Sequence, residues 1–289
     1  MPLNRNWLIS LLACTGIWTV GLPADGQALI PYTPQLDSEQ LDEQGLFLLQ
    51  EAIELLQFGE YEPALSRAKL ATQLAPQRFQ TWFILGNLYL QEEEIEKSIE
   101  TLKQAQSLAP DEAQIAFSLG NAYLRNGDYE AAKGELEKGL SLAPDVPAAL
   151  FDLGNVHLML QEEQAAIAAY EKAVKLEASF WPAINNIGLV KYEQGDVAGA
   201  IVEWEAALEI DEEQPEPKLA LAVALYSQGD TEKAFDLAAT AMLSDSRYAD
   251  LEFLKENLWG SNLLKDTQTL LSTPQMQAII AELPPPVEQ

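Results

Sequence analysis

Three things are scarce in this chain: cysteine, histidine and positive charge. Of 289 residues one is Cys14 and one is His157, and 17 Lys and Arg stand against 45 Asp and Glu. A single cysteine forms no intrachain disulfide and no thiolate metal site, and cleavage near Ala28 would leave no thiol nucleophile either. His157 has no nearby cysteine or motif partner, so neither a zinc site nor a catalytic triad is expected and it reads as a packing residue. The net charge of −28 opposes phosphate backbones and acidic membrane surfaces, so nucleic acid is not an expected partner, whereas a basic segment or a cation is easier to bind. No phosphate loop, serine elbow or metalloprotease motif is present, which points away from an enzyme and from any cofactor.

Long apolar runs are scarce too, and the one near the start has the form of a targeting segment. Arg5 precedes an apolar stretch from Trp7 to Val20, soon broken by Pro23 and Asp25, with small residues at Gly26 and Ala28. Export with cleavage near Ala28 is the expectation, making residues 1–28 a signal peptide. Leu11-Leu12-Ala13-Cys14 also fits a lipoprotein signal, and retention as an anchor is a third route. The compartment is then the periplasm or thylakoid lumen. Membrane association would come only through an uncleaved signal, a lipid anchor or a membrane-bound partner.

What the chain does have is a period. Units starting at Gly45, Phe79, Ala113, Pro147, Trp181 and Pro215 are 34 residues apart, with no insertion between them. Their eighth residue is small (Ala52, Gly86, Gly120, Gly154, Gly188, Ala222), as are the twentieth and the twenty-seventh. Small residues held in register mark close approaches of helix backbones. The fifteenth residue is glycine in four units, Gly59, Gly127, Gly195 and Gly229, where a turn would need a positive φ. The sixteenth is always acidic, suited to capping a second helix, and Pro76, Pro110 and Pro144 are placed to stop it.

Residues 45–248 thereby resemble the tetratricopeptide repeat family. The resemblance implies an all-α, right-handed solenoid of about six helix-turn-helix repeats, whose first helices line a concave groove. Residues 29–44 are expected to be a linker and the start of an N-terminal helix, 249–283 capping helices over repeat six, and 284–289 a disordered tail. The run Leu258-Trp259-Gly260 with Leu263-Leu264-Lys265-Asp266-Thr267 resembles the tails of repeat proteins from photosynthetic membranes.

In the family geometry the second, fifth, ninth, twelfth and thirteenth positions face the groove, and the fifth, ninth and thirteenth carry the pattern. They hold Phe83, Phe117 and Phe151, then Asn87, Asn121 and Asn155, and a single basic residue, Arg125. Carboxamides at a fixed rise offer a donor and an acceptor to an extended peptide, and the aromatic row offers faces for its side chains. Asn185 and Leu219 at the fifth position and Leu189 and Val223 at the ninth interrupt the rows in repeats five and six, so a greasier C-terminal end is expected. The expected function is a non-catalytic adaptor binding an extended client segment, in the manner of a membrane-complex assembly factor. Two alternatives stay open: a scaffold using its convex or C-terminal face, and a metal-delivery protein using acidic turns such as Glu92-Glu93-Glu94.

Overall fold

The computed structural model describes residues 37–284, so the expected signal peptide at 1–28, residues 29–36 of the expected linker and the last five residues lie outside the described residues. Among the described residues there are helices and turns and no strands. Six hairpins follow one another: α1 (Ser38–Gln57) with α2 (Tyr61–Leu74), α3 (Phe79–Gln91) with α4 (Ile95–Leu108), α5 (Ala113–Asn126) with α6 (Tyr129–Leu142), α7 (Pro147–Met159) with α8 (Glu163–Leu176), α9 (Trp181–Glu193) with α10 (Val197–Ile210), and α11 (Pro215–Ser227) with α12 (Thr231–Ser244). A 3-10 turn at Ser246–Ala249 leads to α13 (Leu251–Glu256), α14 (Ser261–Leu271) and α15 (Pro274–Ile280). No helix among the described residues is long and apolar enough to cross a membrane.

Each hairpin packs its two helices together and sets its second helix against the first helix of the next. First helices of successive hairpins also touch, at α1 with α3, α3 with α5, α5 with α7 and α9 with α11, while successive second helices make no comparable contact. The stack therefore bends towards its first helices, and they share one face.

Two positions in each hairpin decide how close its helices come. At the eighth stands Gly86, Gly120, Gly154 or Gly188 in the four central hairpins, and at the twenty-fourth the fully buried Leu102, Leu136, Tyr170 or Trp204. A Cβ on each glycine would fall 2.3–2.6 Å from that partner's side chain, well inside van der Waals contact. In the first and last hairpins the pair is Ala52 with Ala68 and Ala222 with Ala238, all fully buried. Volume is conserved across the contact: glycine faces a large residue, alanine faces alanine. The residues at the twentieth position, Ala64, Ser98, Ala132, Ala166, Ala200 and Ala234, are likewise fully buried.

The turn conformation belongs to the fold more than to glycine. Gly59, Gly127, Gly195 and Gly229 have φ of 73–91°, and the equivalent Glu93 and Gln161 adopt φ of 59° and 62° despite their side chains. Two expectations of local chemistry are corrected. Of the acidic residues at the sixteenth position, Asp196 and Asp230 accept a bond from a first-turn N–H, whereas Glu60, Glu94, Asp128 and Glu162 do not. Glu94 instead meets Lys97, Asp128 accepts from Asn126, and Glu162 takes Lys133 and His157. The prolines do not set the helix ends either. All six second helices stop at the thirtieth position, including α8, α10 and α12, which have no proline there. In each, the next N–H still bonds to the carbonyl of the small twenty-seventh residue four positions back while its own backbone has left the helical region, so the helix end recurs at one place whether or not a proline follows.

Candidate interaction groove

The shared face of the first helices is the place to look for a ligand, and it divides into two parts. On α3, α5 and α7 the fifth, ninth and twelfth positions carry Phe83, Asn87 and Leu90, then Phe117, Asn121 and Leu124, then Phe151, Asn155 and Leu158, and every one of these is half-buried. On α9 and α11 the matching fifth and ninth positions, Asn185, Leu189, Leu219 and Val223, are at most 1% exposed. The cause is α14, which packs against both α9 and α11. Its Leu263, Leu270 and Leu271 join Leu189, Tyr192, Leu219 and Val223 in one buried cluster with Leu254 and Trp259.

This corrects the expected cap. The 3-10 turn and α15 do pack on α12, but α14 turns inward and lies along repeats five and six. Polar contacts hold it there. Glu193 accepts bonds from the N–H groups of Asn262 and Leu263 at 3.1 and 2.9 Å, placing a carboxylate at the positive end of α14. Tyr192 donates to Asp266 at 2.7 Å, and Asn262 donates to the Glu193 carbonyl at 3.2 Å.

The amide row is real as a row, but its groups are already engaged. Asn87 donates to the Phe83 carbonyl of its own helix at 3.0 Å. Asn121 bonds to the Asp152 carboxylate. Asn155 Oδ1 accepts from the Tyr170 hydroxyl at 2.8 Å and from Asn186 Nδ2 at 3.0 Å. The aromatic row also packs inward in part. Phe117 lies against Gly139, where a Cβ would come 2.4 Å from its ring, and Phe151 stacks with Tyr170 and Phe180 at 5.8 and 5.6 Å between centroids. Arg125 reaches back to the preceding turn, donating to the Leu90 carbonyl at 2.7 Å and to Glu93 at 3.4 Å. His157 is 9% exposed with Nδ1 2.6 Å from Glu162 Oε2, a packing residue that also takes part in a link between hairpins.

A chain of polar groups runs beneath this face. Burial raises the Asp152 carboxyl to about 6, partly offset by the Asn121 bond. Burial likewise pushes the Tyr170 hydroxyl up, with the charge on Asp152 adding to it. Asn186 accepts from Asn185 at 3.1 Å, and beyond it Glu216, raised to about 7 by desolvation of its carboxyl, meets Asn185 and the Trp259 indole N–H, the latter at 3.1 Å. Asp152, Tyr170, Asn186 and Glu216 were not visible as a set in the sequence, because they occupy the sixth, twenty-fourth, sixth and second positions of three repeats. The only signal was two titratable groups at positions that are otherwise neutral or apolar. Among the described residues no three carboxylate, imidazole or thiol side chains gather as a metal site would require.

Comparison with known proteins places this architecture. Family models described as "Tetratricopeptide repeat" and "TPR repeat" match residues 117–180, and 86–127 with 188–229, and a third, "ChAPs (Chs5p-Arf1p-binding proteins)", matches 30–105. No curated protein matches. Among solved structures, a MamA crystal structure is 27% identical over 56% of this chain and 94% of its own, with a TM-score of 0.52. PilW, titled a widely conserved type IV pilus biogenesis factor, is 19% identical over 74% of this chain and 98% of its own, at 0.64. PilF of Pseudomonas aeruginosa is 19% identical over 80% and 99%, at 0.61. The last two likenesses are of fold alone.

Proposed function

We propose that this chain, a tetratricopeptide repeat protein, is a non-catalytic adaptor that holds a segment of a client protein against the first helices of repeats two to four. Proteins of this family are scaffolds for protein interaction, and that much comes with the repeats. The observation that carries the narrower reading is the contrast along one face. Equivalent positions are covered by α14 in repeats five and six and left half-exposed in repeats two to four, where three phenylalanines and three leucines recur at one repeat's spacing. An apolar stripe of this kind, rimmed by polar residues, is the usual mark of an interaction surface.

Export is part of the proposal, supported by Arg5 and the apolar run that follows it, and so is a client in a membrane complex. A photo-crosslinking side chain at Phe117 and another at Val202, on the exposed flank of α10, test the face used. Client adducts at 117 and none at 202 are expected. Adducts at 202 alone would move the function to the outer face and leave a scaffold of the second kind.

A further inference from the structure

We infer that the client segment seated on repeats two to four is an amphipathic α-helix with a basic polar face. The inference rests on the adaptor reading above and narrows its partner. Its first support is the chain's own occupant of the same face. Where repeats five and six are covered, the cover is a helix of 11 residues, α14, which packs against α9 and α11, buries Leu263, Thr267, Leu270 and Leu271, and leaves Ser261, Lys265, Gln268 and Thr269 exposed. Repeats two to four present the same first-helix positions next along the stack, so α14 acts as a template for what lies beside it.

The second support is the state of the amides. Pairing with an extended backbone needs both a free donor and a free acceptor at each step. Here Asn87 and Asn121 have each committed one of their two N–H groups to the array, and both lone pairs of the Asn155 oxygen are taken, so the full donor–acceptor step is lost at repeat four. A helix satisfies its own backbone and asks only for apolar contact, which Phe83, Phe117, Phe151 and the leucines at 90, 124 and 158 supply. Charge selects the polar face of that helix. Arg125 at the thirteenth position and Asp152, which lies off the rows at the sixth, are engaged within the array. The exposed carboxylates of Glu92, Glu93 and Asp128 sit at the adjoining turns, on a chain of net charge −28. Basic side chains on the outer side of the bound helix meet that field.

Two peptide libraries of α14's length test this against the full chain. One is stapled into helices with apolar residues varied on one face and lysines on the other; the second is unstapled, with a central proline. Binders from the helical library are expected, with affinity falling about tenfold in Phe117→Ser and unchanged in Val202→Ser. Because Phe117 contacts Gly139, Gln114→Lys serves as a second variant: it holds the second position of its repeat, expected on the groove face, is exposed in the first turn of α5 and should repel a basic helix without touching the core. Binders confined to the proline library and sensitive to Phe117→Ser would overturn the helix while leaving the adaptor standing. Helical binders that ignore both variants and displace α14, read by new protease cleavage near Gly260, would overturn the inference, and no Phe117-sensitive binder from either library would end both readings.

Discussion

The pairing of the eighth and twenty-fourth positions makes a prediction in which one substitution changes sign with its background. Consider Gly120→Ala in α5. The new Cβ would lie 2.5 Å from Leu136 Cγ and 2.8 Å from Cδ2, about 1 Å inside ordinary contact, and Leu136 is fully buried and cannot swing away. Overpacking of this kind costs about 1–3 kcal/mol. Alanine recovers about 1 kcal/mol over glycine inside a helix, so the net loss is about 1 kcal/mol. Leu136→Ala alone leaves a cavity and should cost about 2–5 kcal/mol. With Leu136 already alanine the clash is gone and only the helix gain remains, so adding Gly120→Ala should then stabilise by about 1 kcal/mol. The double variant recreates the alanine–alanine pairs present at Ala52 with Ala68 and Ala222 with Ala238. Urea unfolding followed by circular dichroism gives the four stabilities, compared at constant m-value. A Gly120→Ala effect of the same sign and size in both backgrounds, within about 0.5 kcal/mol, would refute the volume-exchange account.

The other predictions concern single groups that sit uneasily where they are. Glu93→Gly and Gln161→Gly should each stabilise by about 1 kcal/mol, because both side chains are held at positive φ, and a lower urea midpoint would count against this. Ser98 Oγ is buried and finds no hydrogen-bond partner among the described residues, so Ser98→Ala should raise stability by about 1 kcal/mol in a thermal melt. Glu216 binds its proton more tightly folded than unfolded, about 7 against 4.5, so its contribution to stability is complete below pH 4.5 and fades as pH rises through 7. Stability measured at pH 5 and pH 8 should therefore fall by on the order of 2–3 kcal/mol more in the native chain than in Glu216→Gln; parallel falls would show that the carboxyl is not desolvated as described.

How much of this could be read from the chain depends on whether a feature repeats. The hairpins were legible because their constraint is local and recurs: a glycine or alanine every 34 residues at each close approach, and an acidic residue after each turn. The role of that acidic residue was legible only where it is aspartate followed by a helix without a competing partner, as at Asp196 and Asp230. The longer glutamates at 94 and 162 reach lysines and a histidine instead, and Asn126 claims Asp128. The exchange between glycine and a large residue was present in the same frame, but it becomes a rule only when the two positions are known to touch.

The groove shows the same division more sharply. Phenylalanine and asparagine rows were visible in repeats two to four, yet the groups that engage the amides, Asp152, Tyr170 and Asn186, lie off the rows and on other helices. The loss of both rows in repeats five and six was equally visible, and a greasier groove is the natural reading of Leu189, Leu219 and Val223. Those residues are instead core. An apolar groove open to water along its whole length would expose all of these side chains at once, at roughly 25 cal/mol per Å2. Folding α14 back over repeats five and six removes that exposure where the residues are aliphatic and leaves the surface open where amides break it up. The change in composition between repeats four and five thus marks the boundary between a face the chain covers itself and one it leaves half-exposed.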